Sequence, residues 1–311
     1  MNKNFLIMKK IINTMIIAFI AIITITSCSS VDGNGDYISV EQEVSLFNKI
    51  SIQSSFDVTL HSDVTPKVVI EAESNILPYI IAEVRNNKLI LKSKNNAVFN
   101  STKNIKIAVY SGLDKNGHYY GVTEVHNSGS GLFSAKLIAE ENLSLSASGS
   151  GNIEIESVND PIEPCDGCLN SLLPCYKLEL YTSGSGKINI GTATCFNCLI
   201  DVVGSGNCHV SNFYVWENID VNINGSGNVK LDGGSSSAKI KIGGSGEYDA
   251  CNLITNTCDI KTSGSGSACV NVSDTLTAIV NGSGDINFYG NPVLISSGKG
   301  TGSIRMCSGG K

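Results

Sequence analysis

Aromatic side chains are scarce in this chain, 6% of 311 residues with a single tryptophan, and charged residues amount to only 16%. A large core must then be built from aliphatic side chains, of which Ile and Val are abundant. Histidine is equally sparse. His61, His118, His126 and His209 are scattered without metal-ligand spacing, so they read as surface residues and supply no metal centre. Basic charge is also short: 22 Lys and Arg stand against 28 Asp and Glu, a net charge of −6. An acidic body excludes non-specific nucleic-acid binding, which needs a basic surface. Clustered carboxylates with a nearby cation, as a polysaccharide lyase would require, are missing too. Glu154, Glu156, Glu179, Asp201 and Asp220 are spread along the chain. The Gly-rich calcium nonapeptide needs an aspartate after its glycines, and only Gly284-Asp285 offers one.

Long apolar runs are lacking as well. The N-terminal stretch Ile11 to Ile25 covers 15 residues and is interrupted by Asn13 and Thr14. That is short of the roughly 20 needed to cross a bilayer. Preceded by Lys9 and Lys10 and followed by Ile25-Thr26-Ser27-Cys28, it has the form of an export signal. The Ile-Thr-Ser-Cys segment resembles the bacterial lipobox, which predicts a signal peptide over residues 1–27 and lipidation at Cys28. Without Lys3, Lys9 and Lys10 the charge falls to −9. The polar, Gly-rich residues 28–44 then read as a flexible tether.

What the chain does have is a Gly-Ser-Gly triplet that returns about every twenty residues. Copies begin at Gly129, Gly149, Gly184, Gly204, Gly225, Gly244, Gly264 and Gly282, and end at Gly131, Gly151, Gly186, Gly206, Gly227, Gly246, Gly266 and Gly284. A degenerate copy is Gly300-Thr301-Gly302. A fixed period of this size marks a stacked, quasi-one-dimensional fold. Apolar residues recur four and two positions before each first glycine, as in Leu180, Ile200 and Ile240, and Val202, Ile223 and Ile242. They recur four and six positions after it, as in Ile153, Ile188 and Val229, and Ile155, Ile190 and Leu231. Period-2 alternation on both sides predicts strand, glycine turn, strand, with one buried face. The shared parity suits a coil whose interior stays on one side, so the expected fold is an all-β parallel β-helix of about 20 residues per coil. The glycines are expected where the backbone turns tightly or takes positive φ.

The period breaks twice. Residues 45–120 alternate without triplets and are expected to be N-terminal coils preceding the repeats of 121–311. Between Gly149 and Gly184 the gap is 35 residues. The extra length, 159–175, holds Pro161, Pro164, Pro174, Cys165, Cys168 and Cys175, and reads as an inserted loop. A second loop is expected over 111–120.

The order of these parts resembles the putative auto-transporter adhesin, head GIN domain family. The resemblance rests on Phe47-Asn48-Lys49-Ile50-Ser51-Ile52, Phe56-Asp57-Val58-Thr59-Leu60, Val84-Arg85-Asn86-Asn87-Lys88-Leu89, the triplets and the terminal Gly302-Ser303-Ile304-Arg305. It covers nearly all of 45–311. It implies a single right-handed β-helix on the cell envelope of a Bacteroidetes-like bacterium, and its name suggests adhesion. It supplies no catalytic residues, and the Pro/Cys-rich insert departs from its usual pattern.

Ten cysteines besides Cys28 leave several outcomes open in an exported protein. Cys198, Cys208 and Cys258 fall in core registers. Cys175 and Cys195 both lie nine residues before a triplet, so they would stack about 4.8 Å apart, within reach of a disulfide. Cys165-x-x-Cys168 with Cys195-x-x-Cys198 has zinc-like spacing, but no metal or cofactor is expected. The chain is thus expected to be a non-catalytic, outer-membrane lipoprotein, periplasmic or surface-exposed, that shows polar solenoid faces to glycans or proteins. Its solenoid ends are expected to allow self-association. The competing reading is a polysaccharide-processing enzyme on the same scaffold.

Overall fold

A computed structural model of the chain describes residues 30–112, 121–159 and 175–307. The expected signal segment, Cys28, and most of the two expected loops, including His118, Cys165 and Cys168, lie outside the described residues. The chain forms a parallel β-solenoid of about eight turns with roughly 20 residues per turn. It is built from strands β1 (Ser30–Asp32) to β22 (Ile304–Met306).

Each regular coil is two strands joined at the glycine corner. β10 (Glu124–Asn127) leads to β11 (Leu132–Ile138), and β12 (Asn142–Ala147) to β13 (Asn152–Val158). β10 pairs with β12 and β11 with β13, in parallel and in register. β14 (Cys175–Thr182) and β15 (Lys187–Val202) continue the stack, followed by β16 (Asn207–Ile223), β17 (Val229–Ile242), β18 (Tyr248–Thr262) and β19 (Ala268–Val280). The later strands run through the second corner, so each pairs along its whole length with the next coil. The expected apolar columns are the core: Leu145, Leu180, Ile200, Ile240, Ile188, Val229 and their equivalents as far as Phe288 are buried. Cys198, Cys208 and Cys258 are buried in it as expected. Tyr248 occupies the same column, fully buried, with its hydroxyl unpartnered and its pKa pushed well up by burial.

The columns stop at the last coil. β21 (Val293–Ser297) stacks on β19, yet all five of its residues are exposed, and Met306 of β22 is exposed where earlier coils are buried.

The N-terminal region differs from the expectation of successive coils. β3 (Lys49–Ile52) and β4 (Phe56–His61) do form one, lying under β10 and β11. Beneath it lie β7 (Lys88–Ser93) and β9 (Ile105–Tyr110), parallel to β3 and β4. The sheets are then closed by antiparallel strands: β6 (Ile80–Arg85) on β7, and β5 (Lys67–Glu73) on β9. For β6 on β7 the physical reason is the short connection Arg85-Asn86-Asn87-Lys88. Asn86 and Asn87 both take positive φ, a two-residue reversal that makes a hairpin rather than a coil. Glu124 locks the first three layers together, its carboxylate meeting Lys49 Nζ and Lys88 Nζ at 2.8 Å each.

Residues 28–44, expected to be a flexible tether, are also corrected where they are described. β1 pairs with β8 (Val98–Asn100), and β2 (Tyr37–Glu43) adds an antiparallel edge to β5. Glu73 fastens this edge. Its fully buried carboxylate accepts hydrogen bonds from the Gly35 N–H (2.8 Å) and the hydroxyls of Ser101 (2.8 Å) and Thr102 (2.9 Å). Burial alone would raise its pKa, but these donors outweigh it and hold the carboxyl below its usual range. A depressed folded pKa stabilises the fold above the unfolded value and loses that contribution as pH falls. The β2 edge should therefore loosen as pH drops below about 4, seen as faster amide hydrogen exchange over Tyr37–Glu43. Glu73→Gln should remove that pH dependence; an unchanged profile would contradict the clasp.

Candidate functional site

The glycine corners stack into one stripe, and their spacing shows what the triplet does. A Cβ built on Gly227 would lie 1.9 Å from the Gly206 carbonyl oxygen, and one on Gly246 would lie 2.0 Å from that of Gly227. The second glycine of every later triplet meets its predecessor in the same way. Positive φ, expected to be a main reason for glycine, occurs in the triplets only at Gly204 among the described residues. The glycines are needed because successive corners lie in backbone contact. The middle serines stand on the outside, with Ser130 2.6 Å from Ser55 of the preceding, triplet-free corner and Ser283 donating to Ser265 at 3.1 Å.

One wall carries a feature of a different kind. Cys175, Cys195 and Val215 are ladder partners and point inward. The next residue in each coil points outward, which sets Tyr176, Phe196 and Trp216 one above another. Their ring centroids are 6.3 and 6.1 Å apart, tilted by 45° and 39°. Tyr176 and Trp216 are each 62% exposed. A β-bulge places Asn197 opposite Asn218, so Trp216 and Glu217 both face Phe196, which is how such bulges redirect side chains. Tyr214 lies beside Trp216 on the same strand, and Ile254 stands two coils on, both exposed. Gly234 is the ladder partner of both and leaves a notch between them. Its φ is not positive, and an added Cβ would meet only the Ile254 carbonyl oxygen, at 3.8 Å, so neither backbone nor packing demands glycine there.

Polar groups flank the rings. Asn197 Nδ2 donates to Glu217 Oε2 at 2.8 Å, and the Ser237 hydroxyl donates to Asn218 Oδ1. Ser236 donates to the Trp216 carbonyl at 2.6 Å. Lys177 is engaged by Glu179 at 2.5 Å. On the adjoining wall, Glu154 and Glu156 join His209, Asn189 and Ser134 in an open depression. It has two acids and no Lys or Arg, short of the set that the lyase reading calls for.

The triplet register could have exposed the ladder in the sequence. Tyr176 and Phe196 both lie eight residues before a first glycine, and Trp216 lies nine before Gly225, displaced by the extra residue in that 21-residue coil. Their low overall number hid their alignment.

The cysteines were only partly foreseen. Cys175 and Cys195 are direct ladder partners as expected, and both are free thiols, so of the outcomes left open there the possible disulfide is not formed. In-register side chains of parallel strands point the same way, and their Cβ atoms stay about a strand spacing apart, wider than a disulfide prefers. The Cys175 thiol instead donates to the Lys177 carbonyl at 3.1 Å, and burial first, then the neighbouring Cys195, pushes its pKa up to about 12. Among the described residues a disulfide joins Cys251 and Cys269, Cα atoms 5.2 Å apart. It is diagonal, since the ladder partner of Cys269 is Asp249, so equal register could not reveal it.

A family model described as "Putative auto-transporter adhesin, head GIN domain" matches residues 46–213 and 178–292. No curated protein matches the chain. Solved structures share the fold. A putative adhesin from Parabacteroides distasonis is 20% identical with a TM-score of 0.61, and one from Parabacteroides merdae is 19% identical with a TM-score of 0.58. A putative lipid binding protein from Parabacteroides distasonis is 22% identical with a TM-score of 0.57. Each alignment covers 90% of this chain and 100% of the other.

Proposed function

Because this chain belongs to the putative auto-transporter adhesin, head GIN domain family, we propose that it is a non-catalytic adhesin displayed on the cell envelope. Cys28 carries the lipid that holds it in the outer membrane, and the solenoid wall makes the contact. The observation that carries this reading is the outward row Tyr176, Phe196 and Trp216 on a rigid, fully paired scaffold. Large apolar side chains in a row, exposed at Tyr176 and Trp216 and half-buried at Phe196, cost solvation without serving the core, and such patches mark contact surfaces.

Cells displaying the full chain should attach to immobilised glycans or matrix proteins more strongly than cells lacking it. Equal attachment on every surface would overturn the adhesin reading. Labelled palmitate should enter the wild-type chain and be absent from Cys28→Ser; incorporation by that variant would refute the anchor.

A further inference from the structure

Resting on the adhesin reading, we propose that the wall around Tyr176, Phe196 and Trp216 binds an extended, uncharged polysaccharide chain lying along the solenoid axis. Three properties of the wall select this ligand class.

The first is the repeat. The rings advance by one coil, about 5 Å, which is also about the length of one pyranose unit. Three consecutive rings can therefore meet three consecutive sugars. Aromatic faces carry the negative part of the ring quadrupole and attract the weakly positive C–H faces of pyranose rings. The tilts of 45° and 39° keep the rings from stacking flat on one another, so their faces are not sealed by their neighbours.

The second is the border. The rings are edged by Asn197, Glu217, Asn218, Ser236 and Ser237, a mixture of amide, carboxylate and hydroxyl groups suited to sugar hydroxyls, which both donate and accept. A protein hot spot would instead need a closed, desolvated pocket, whereas Tyr176 and Trp216 stay largely open to water and Phe196 between them is half-buried. The flanking Lys177 is already paired with Glu179, and the chain is acidic overall, which disfavours an anionic glycan, a nucleic acid or an anionic membrane.

The third is the notch at Gly234. It is a glycine that the fold does not require, placed between Tyr214 and Ile254 in the column beside the aromatic row. Its missing side chain keeps the flank of the row open, while the small Ser236 stands next after Trp216 along the axis, so a linear ligand can continue into the next coils.

Trp216 is the sole tryptophan, so its fluorescence reports this wall and nothing else. Detergent-solubilised full-length protein is titrated with cellohexaose, laminarihexaose, xylohexaose and mannohexaose, and with the matching disaccharides. At least one hexasaccharide should change the Trp216 emission, with its disaccharide about tenfold weaker because it spans fewer rings. Phe196→Ala should weaken binding about tenfold. Gly234→Val, which the open space at that position accommodates, should weaken it severalfold while leaving the unfolding midpoint in place. Emission unmoved by every hexasaccharide would overturn the proposal, as would binding that both variants leave intact. If wild-type cells attach to matrix proteins while all sugars fail, the glycan assignment falls and the adhesin reading stands. If the cells attach to nothing, the adhesin reading itself has failed.

Discussion

Gly246→Ala should destabilise the solenoid by about 3 kcal/mol, the upper range for inserting atoms into a packed site. The new methyl would lie 2.0 Å from the Gly227 carbonyl oxygen and 2.8 Å from Ile223 Cγ2. Neither neighbour can give way easily. The carbonyl belongs to the corner of the preceding coil, and Ile223 is fully buried in the core column. Relief requires the two coils to separate locally, which breaks the backbone bonds from the Ser245 and Gly246 N–H groups to the Gly225 carbonyl. Because each coil contacts only its neighbours, the damage should centre on coils near 225–266. Ser245→Ala, one residue away but on the outside, should change stability by less than about 0.5 kcal/mol. Denaturant unfolding of the two variants decides the matter; equal midpoints would show that the corners are not in contact.

Phe213→Ala should cost about 4 kcal/mol, within the range for deleting a buried phenylalanine. Phe213 is fully buried, and its ladder partners above and below are Ala193 and Gly233. One large side chain thus fills the space left by two of the smallest, and neither can expand into the void. Gly233 is held twice, by a φ of +143° and by the Phe213 carbonyl oxygen, which a Cβ there would meet at 2.1 Å. Thermal unfolding should show the loss; a shift no larger than that of an exposed substitution would mean that the corner collapses around the gap. The same substitution lies beneath the wall that carries Tyr214 and Trp216, so it should also broaden the Trp216 emission.

Much of this was legible in the residues. The triplet period, the parity of the apolar columns and the burial of Cys198, Cys208 and Cys258 follow from counting, because a coil that stacks in register repeats its inward face at equal intervals. The N-terminal closure was not legible in that way. Strand alternation has the same period in a parallel coil and an antiparallel hairpin, and only the reversal at Asn86-Asn87 separates them. The Glu73 clasp joins residues 28 to 38 positions apart through one buried carboxylate, with no repeating signal to mark it. Equal register likewise pointed to Cys175 and Cys195, whereas the bond forms on the diagonal between Cys251 and Cys269.

By itself, then, the sequence determined the solenoid, its pitch in residues and its inward face, since these depend on the alternation and period of side chains along one coil. The tertiary structure alone decided what the outward faces become. Those neighbours belong to different coils, and a single extra residue in the 21-residue coil moves Trp216 by one position in the count while a bulge restores it beside Phe196. It also decided why the glycines are there: the constraint is the distance between stacked backbones, a quantity that exists only once the coils have met.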